Sequence, residues 1–413
     1  MKVLLVGNGG REHAIAKKIA ESKKVTEFYS VPGNPGINTL AKLADVKNEP
    51  IEIAKWAAKN KIELIVCGPE IPLVDGLADE ANKLGIPVFG PKKIGAMLEG
   101  SKIYSKNFMK KYNVPTASFV VLEDYNNAVE YVKSHPAYPM VIKADGLAAG
   151  KGVKIAQDEA EALETLKEYM VDLSLGDAGK KIIIEEFMPG EEMSVFYVTD
   201  GKKFLRLIAA KDYKKAYDGD KGDNTGGMGC YAPHQSLTEE LSAQIENEIM
   251  SGIYEGFEKE GFDYRGVLYV GLMLTKEGPK VVEFNCRFGD PETQGIMPLL
   301  DEDIVELFYQ AATGNLCKES IAWKNLFAAS VVVASSGYPA SYEKGKVITF
   351  DTDMKDYIHA GTIEKDANIV TNGGRVLNAV ATGATKEDAL KAAYDLVSKV
   401  HFDGAFHRKD IGS

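Results

Sequence analysis

Cysteine is scarce in this chain. Cys67, Cys230, Cys286 and Cys317 are the four present in 413 residues, they lie far apart, and no Cys-x-x-Cys pair occurs. Neither a disulfide framework nor a zinc site is indicated, and a reducing compartment fits. Basic charge is also in deficit: 49 Lys and Arg against 60 Asp and Glu leave a net charge of −11, with no Lys/Arg-dense stripe. Binding to a phosphodiester backbone needs a basic footprint, so nucleic acid is excluded as a general partner and small anions must be held locally. Long apolar runs are missing too. Ala328 to Ala334 is among the longest, far below the roughly 20 residues that span a bilayer. Met1 leads directly into a strand rather than a signal segment, so the expected location is cytoplasmic, with no membrane partner. The rest is ordinary for a globular chain, 45% hydrophobic and 26% charged, which argues against disorder or a fibrous class. Single cores stop growing near roughly 250 to 300 residues, so the length predicts two to four domains.

The richest stretch runs from Val281 to Glu292. It reads as a strand ending in Glu283, Phe284, Asn285, Cys286 and Arg287. Side chains alternate along a strand, so Glu283 and Asn285 share a face, about 7 Å apart along the backbone. Two oxygen donors suit Mg²⁺, which keeps some of its water and holds substrate phosphates through one or two protein groups. Arg287 adds a guanidinium able to clamp a carboxylate or phosphate bidentately. The plainer reading is a strand end with incidental polar residues.

From the amino terminus, Lys2 to Val6 reads as a strand, Gly7 to Gly10 as a turn, and Arg11 to Ala20 as a helix. Glycines here let backbone N–H groups approach an anion at the helix start. A dinucleotide site wants an acid at the end of the second strand, but Phe28 to Val31 runs into Pro32 and Gly33, with Glu27 at the opposite end. The alternation continues through a helix at Ile51 to Lys59, a strand at Leu64 to Cys67, a helix at Val74 to Leu84 and a strand at Pro87 to Phe89. Open α/β sheets bind ligands at strand carboxyl ends, which makes Gly9, Gly10 and Glu70 candidate binding positions. Glu70 reads equally as a cap for the next helix.

Gly90 and Pro91 end this pattern, and the first domain is placed at residues 1–101. Ser101 caps an expected helix from Lys102 to about Tyr112 that carries Lys106. Strand Phe119 to Leu122, helix Asn127 to Ser134 and strand Met140 to Lys143 lead into Ala144 to Gly152, followed at once by strand Val153 to Ala156. A glycine-rich loop between two strands, with Lys143 and Lys151 at its ends, reads as a flap over phosphates, the alternative being an ordinary hairpin. It is not a Walker loop, since Gly152 stands where that motif requires Ser or Thr. Beyond a helix opened by Asp158, strand Lys181 to Glu186 crosses between domains, presenting Glu185, Glu186 and Phe187 toward an adenine edge and Glu192 toward ribose hydroxyls. Glu191 and Glu192 read equally as solvated charges at a turn. Lys211 to Cys230 reads as a long loop, and loops of that length usually serve function. Helix Thr238 to Glu260 is core, strand Gly266 to Thr275 pairs with the Glu283 strand, and strands Ala328 to Ala334, Val347 to Phe350, Tyr357 to Glu364 and Val376 to Ala381 with a helix at Lys386 to Val400 form a small β-rich closing domain. Arg375, beside the turn Asn372–Gly374, either reaches a phosphate across the cleft or is solvated.

The flap, the Glu185–Glu186 hinge and the Glu283/Asn285 pair together resemble the ATP-grasp class. More closely, GNGGREH (residues 7–13), GPE (68–70), IKADGLAAGKGV (142–153), NTGGMG (224–229), EFNCRFGDPE (283–292), NGGR (372–375) and RKDIG (408–412) resemble, in order and over essentially the whole chain, the phosphoribosylamine–glycine ligase family. The fold this implies has a Rossmann-like amino-terminal substrate domain (1–101), an ATP-grasp domain (102–320, flap subdomain about 120–190) and a β-rich carboxy-terminal domain (325–413), an α/β and α+β multidomain architecture.

The resemblance implies ligation of glycine to 5-phosphoribosylamine with ATP, through glycyl phosphate, in purine biosynthesis, with Mg²⁺ (or Mn²⁺) as the metal. A transient contact with the enzyme supplying phosphoribosylamine belongs to the same expectation. It assigns Glu283 and Asn285 to the metal. Nucleotide contacts fall to Lys106, Lys143, Gly150, Lys151, Gly152, Glu185, Glu186, Phe187 and Glu192. Substrate contacts fall to Gly9, Gly10, Glu70, Asp212, Asn224, Arg287, Asp290 and Arg375, with Arg287, Lys143 and Asp212 catalytic. Departures cluster in one loop: Lys211, Tyr213 and Lys215 stand where the family has Gln, His and Arg, and Asp223 replaces the usual proline, while Asp212 and Lys214 carry over. Strand Val267 to Leu274 offers no extra metal carboxylate, which leaves the number of ions open. Two other classes are an NAD-dependent oxidoreductase, which would show nicotinamide fluorescence, and a non-catalytic nucleotide sensor, which would release no ADP.

Overall fold

The computed structural model describes residues 1–147 and 152–413. Gly150 and Lys151 of the expected flap lie outside the described residues.

Short strands alternate with helices in the amino-terminal unit: β1 (Lys2–Gly7), α1 (Gly10–Ala20), β2 (Glu27–Pro32), β3 (Lys42–Leu43), α2 (Pro50–Lys59), β4 (Leu64–Cys67), α3 (Glu70–Val74), α4 (Leu77–Lys83) and β5 (Val88–Phe89). The strands form a parallel sheet of order β3-β2-β1-β4-β5. Helices cover both faces, which is why Val3, Leu4, Leu5 and Val6 are all buried despite pointing alternately to either side. Strand order reverses between β1 and β4, so the Gly7–Gly10 and Gly68–Glu70 loops flank the crevice where such sheets take ligands. One helix was expected over Val74 to Leu84. The chain instead breaks at Asp75 and Gly76, where Gly76 takes φ 93°, a conformation that glycine adopts without steric cost.

The sequence reading passed over α5 (Lys93–Gly100), which leads directly into α6 (Lys102–Lys111). Ser101 caps α6, its hydroxyl accepting from the Tyr104 amide at 3.1 Å. Next come β6 (Phe119–Leu122), α7 (Tyr125–Ser134), β7 (Met140–Ala144), β8 (Val153–Ala156), α8 (Glu159–Met170) and β9 (Ile182–Glu186), an antiparallel sheet of order β6-β9-β7-β8 backed by the two helices. Asp124 and Asp158 cap α7 and α8.

A second antiparallel sheet takes β10 (Glu191–Thr199) and β11 (Phe204–Arg206) from one side of a long excursion. That excursion, expected as a structureless loop over Lys211 to Cys230, contains β12 (Lys211–Asp212), β13 (Lys215–Tyr217), β14 (Lys221–Asn224) and β15 (Gly229–Ala232). After α9 (Glu239–Ile245), a π-helical turn at Glu246–Met250 and α10 (Ser251–Glu260), strands β16 (Gly266–Thr275) and β17 (Gly278–Asn285) complete the order β11-β10-β16-β17.

The remaining elements are α11 (Glu292–Ile296), α12 (Ile304–Thr313), β18 (Phe327–Ser335), β19 (Thr349–Phe350), β20 (Tyr357–His359), β21 (Thr362–Lys365), β22 (Asn368–Thr371), β23 (Arg375–Gly383), α13 (Lys386–Val397), β24 (Val400–His401) and β25 (Ala405–Phe406). The expected single strand Tyr357 to Glu364 is two, parted at Ala360 and Gly361, where Gly361 packs against the backbone of Gly373. The closing sheet has the order β12-β15-β18-β23-β20. Its first two strands come from the excursion, so Asp212 and its neighbours are stitched to the carboxy-terminal part by backbone pairing.

Candidate active site

Strand β17 pairs with β16 at Tyr269–Asn285, Val270–Phe284 and Gly271–Glu283, then slips so that Leu272 meets Val281. Val282 is therefore extra. Such a bulge re-aims the side chains beyond it. Glu283 and Asn285 fall on one face, with Asn285 Nδ2 3.5 Å from Glu283 Oε1. Burial pushes the Glu283 carboxyl up, but Lys214, Lys143, Lys102 and Arg287 together hold it below its ordinary value. Glu283 is thus an ionised carboxylate ringed by cations, beside a neutral oxygen donor. Among the described residues no group of three or more His, Cys, Asp or Glu is placed to hold a metal, so a cation here has this pair. A hard ion that also binds phosphate oxygens and water fits such a donor set.

Two lysines arrive from different elements onto one carboxylate. Lys143 on β7 and Lys106 on α6 place Nζ 2.9 Å and 3.2 Å from Glu185 Oε2 on β9. All three side chains are buried. Lys106 also donates to Thr116 Oγ1 at 2.7 Å, and Lys143 reaches the Val282 carbonyl at 3.4 Å, next to Glu283. Burial brings Lys106 down to about 8, with Glu185 opposing and Lys143 adding to the fall. The other Glu185 oxygen, Oε1, is buried and has no hydrogen-bond partner among the described residues. Glu186 instead accepts from the Ser118 amide at 3.0 Å, and Phe187 is exposed. Gly152 closes the β7–β8 hairpin through its carbonyl, 2.9 Å from the Ala144 amide. Glu192 is neither free nor merely solvated, since it pairs with Lys214 at 2.7 Å.

Arg287 is held by two carboxylates of the amino-terminal part. Its Nη2 lies 2.8 Å from Glu99 Oε1 and its Nε 3.3 Å from Glu70 Oε2. Glu99 also accepts the Cys286 amide at 2.8 Å. Glu70 is the first residue of α3 but does not cap it, since Pro69 holds the cap position without a side-chain hydrogen bond, and Glu70 lies 3.9 Å from Arg11 Nη2. Sequence reasoning missed Glu99, because α5 went unread and no motif contains it. A carboxylate immediately before the expected domain junction at Gly100 and Ser101 is the available signal.

The amino-terminal turn differs from its expected role as an open anion cradle. The Gly9 amide already donates to Glu12 Oε2 at 2.6 Å and the Arg11 amide to Asp290 Oδ2 at 3.2 Å. The helix start is thus met by carboxylates of the chain itself, as its dipole favours. Asp290 further accepts from Gln294 Nε2 at 2.8 Å and lies 3.3 Å from Arg375 Nη1. Arg375, expected to reach across a cleft, does cross between parts of the chain. Its Nη1 donates to the Gly226 and Asp290 carbonyls, both at 2.7 Å. Asn224 sits exposed on β14, opposite Lys215.

Asp212, on β12, faces Lys214, Glu292 and Glu192. Burial pushes its carboxyl up to about 7, Lys214 pulls the other way, and the two carboxylates raise it further. A carboxyl near 7 lies in the range in which a side chain both takes and gives a proton.

Two buried lysines, one on a sheet strand and one on a helix, set against a second sheet that ends in an ionised Glu-x-Asn fit the ATP-grasp class. The comparisons give the same architecture. Profiles for the phosphoribosylglycinamide synthetase N domain, ATP-grasp (A) domain and C domain match residues 1–99, 100–293 and 328–413. The chain belongs to the phosphoribosylglycinamide synthetase family. It is 46% identical over 416 residues to a phosphoribosylamine–glycine ligase of Caldanaerobacter subterraneus subsp. tengcongensis, covering all of both chains. To that of Clostridium acetobutylicum it is 45% identical, covering 100% of this chain and 99% of the relative. The crystal structure of the Thermotoga maritima phosphoribosylamine–glycine ligase superposes with a TM-score of 0.88 at 39% identity, covering all of both chains. The biotin carboxylase domain of the Hydrogenobacter thermophilus 2-oxoglutarate carboxylase, 18% identical, shares the fold with a TM-score of 0.75 over 98% of this chain and 91% of that one.

Proposed function

We propose that the chain joins glycine to 5-phosphoribosylamine with ATP, releasing glycinamide ribonucleotide, ADP and phosphate, a step of purine biosynthesis. The observation that carries this reading is the ionised Glu283 beside Asn285, ringed by Lys214, Lys143, Lys102 and Arg287. Phosphate oxygens brought beside Glu283 would face Lys214, Lys143, Lys102 and Arg287, cations able to offset their charge. Glu283 and Asn285 would hold the divalent metal, Mg²⁺ or Mn²⁺, which would supply positive charge against the phosphates of the nucleotide. Lys143 and Lys106 lie on the nucleotide side, with Glu185, Glu186, Phe187, Glu192 and Gly152 assigned to the same pocket.

Catalysis here is mainly positioning. The glycine carboxylate attacks the γ-phosphoryl group to give glycyl phosphate and ADP, and Lys143 stabilises the transferred group. Arg287 holds the glycine carboxylate in a bidentate fork, for which Glu70 gives up its longer contact. The amine of phosphoribosylamine then displaces phosphate, its proton passing to Asp212. Asp290 and Arg375, with Gly9, Gly10, Glu70 and Asn224, bound the place assigned to the sugar phosphate. No helix among the described residues is long and apolar enough to cross a membrane. The reaction places the enzyme in the cytoplasm, where a transient contact with the enzyme supplying phosphoribosylamine shortens the path of an unstable substrate. ADP release measured with both substrates, with each alone and with neither tests the reading. Release that requires both supports it, and release indifferent to glycine refutes it.

A further inference from the structure

Glu292 is a carboxylate at 3% exposure, and among the described residues it forms no ion pair. Its partner is the Ser194 hydroxyl, which donates to Oε1 at 3.2 Å and lies 2.8 Å from the Tyr269 hydroxyl. With the Ser194 proton committed to Glu292, Tyr269 is the donor to Ser194. Ser194 and Tyr269 are equally buried, so a relay Tyr269–Ser194–Glu292 crosses the floor of the site. It lies under the metal pair, because Ser194 stands opposite Gly271, and Gly271 opposite Glu283. Two backbone ties bring it against Asp212. Ala210 bridges to Ser194, and Cys230, the strand partner of Asp212, donates its thiol to the Pro291 carbonyl at 3.1 Å, one residue before Glu292. Burying a carboxylate with one hydroxyl for company is costly, and a purely structural role leaves that cost unexplained. A negative charge held beside a second carboxylate raises the pH at which that second group ionises.

We propose that Glu292, fixed by Ser194 and Tyr269 beside Asp212, is a positioning residue that keeps Asp212 basic enough to accept the proton of the attacking amine. As the C–N bond forms and the C–O bond to phosphate breaks, phosphate leaves with the bonding electrons and the N–H proton moves to Asp212. Lys214, Glu192, Tyr269 and Cys230 also face Asp212, so Glu292 is one of several charges acting on it. The inference rests on the ligase reading and adds the residue that tunes its base.

The test is the pH dependence of kcat/KM for phosphoribosylamine, at saturating ATP–Mg²⁺ and glycine, in Glu292→Gln. Asp212 must be ionised to act, so the parent loses activity as pH falls through about 7. Removing the neighbouring negative charge lowers the value for Asp212, and the acid limb moves down by about one pH unit. An acid limb that stays where the parent has it, in a folded variant, overturns the inference. Should Glu292→Gln fail to fold, Ser194→Ala, which removes the hydrogen bond favouring ionised Glu292, moves the limb in the same direction, and an unmoved limb there is equally fatal. A parent that releases no ADP in response to both substrates defeats the ligase reading itself, an outcome distinct from an unmoved limb.

Discussion

Replacing Glu185 by Gln leaves the shape of the nucleotide pocket and removes its central charge. In the parent, two ammonium groups lie 3.2 Å and 2.9 Å from one carboxylate oxygen, all out of contact with solvent. Taking away one partner of a buried ion pair costs about 3 to 5 kcal/mol, because the other charge is left uncompensated. The amide oxygen still accepts one hydrogen bond, so the expected loss at neutral pH lies near the lower figure, about 3 kcal/mol. The pH dependence carries more information than the size. Lys106 in the folded parent is lowered to about 8 from an ordinary 10.5. The unfolded chain binds more protons between those values, so this lysine's contribution to stability rises with pH from about 8 to 10.5 and is at its least favourable below. Without Glu185, Lys106 loses its proton at still lower pH. The variant therefore recovers stability over an interval in which the parent does not, and the gap between them narrows as pH rises toward about 8. Urea unfolding of both proteins at about pH 6 and about pH 8 reads this directly. A variant within about 1 kcal/mol of the parent at both, or a gap that widens with pH, refutes the buried lysine pair as described.

Glu283→Gln should fold and yet retain little ligase activity at ordinary Mg²⁺, since the amide keeps the volume and loses the charge; parent-like turnover places the metal elsewhere. Glu99→Ala removes the acceptor of both the Arg287 guanidinium and the Cys286 amide, and each charge-assisted contact is worth about 1.5 to 3 kcal/mol. Its kcat/KM for glycine should therefore fall at least about tenfold, whereas a loss confined to thermal stability makes Glu99 structural only. Arg375→Ala should raise KM for phosphoribosylamine about ten- to a hundredfold and leave those for ATP and glycine nearly unchanged; a rise in all three assigns Arg375 to general architecture.

What could be read in the sequence and what could not divide along a physical line. Elements whose limits are set locally were legible: β4, β6, β8 and β16 begin and end where apolar alternation and glycine or proline turns say they should, and Ser101, Asp124 and Asp158 cap the helices they precede. Glu283 and Asn285 were legible because both lie on one strand. Contacts made between distant segments were not. Nothing near Arg287 in sequence announces Glu99 or Glu70, and nothing near Asp290 announces the amide of Arg11. The excursion from Lys211 to Cys230 read as a loop because its strands are two to four residues long, all but the last rich in polar residues, and they are held by pairing with β18 and with one another. Gly10 marks the same limit. Its glycine reads as freedom for a ligand to approach, but a Cβ there would meet the side-chain ends of Gln294, on a distant helix, and Asn378, on a distant strand, so packing also favours it.

Activation of the glycine carboxylate as an acyl phosphate before the amine attacks is tested by ligation run with glycine labelled by ¹⁸O in both carboxylate oxygens, with the released phosphate read by mass. Attack of the carboxylate on the γ-phosphoryl group leaves one glycine oxygen on phosphorus, so the phosphate should carry one ¹⁸O and the amide product should keep the other. Glycinamide ribonucleotide formed alongside unlabelled phosphate would contradict this activation.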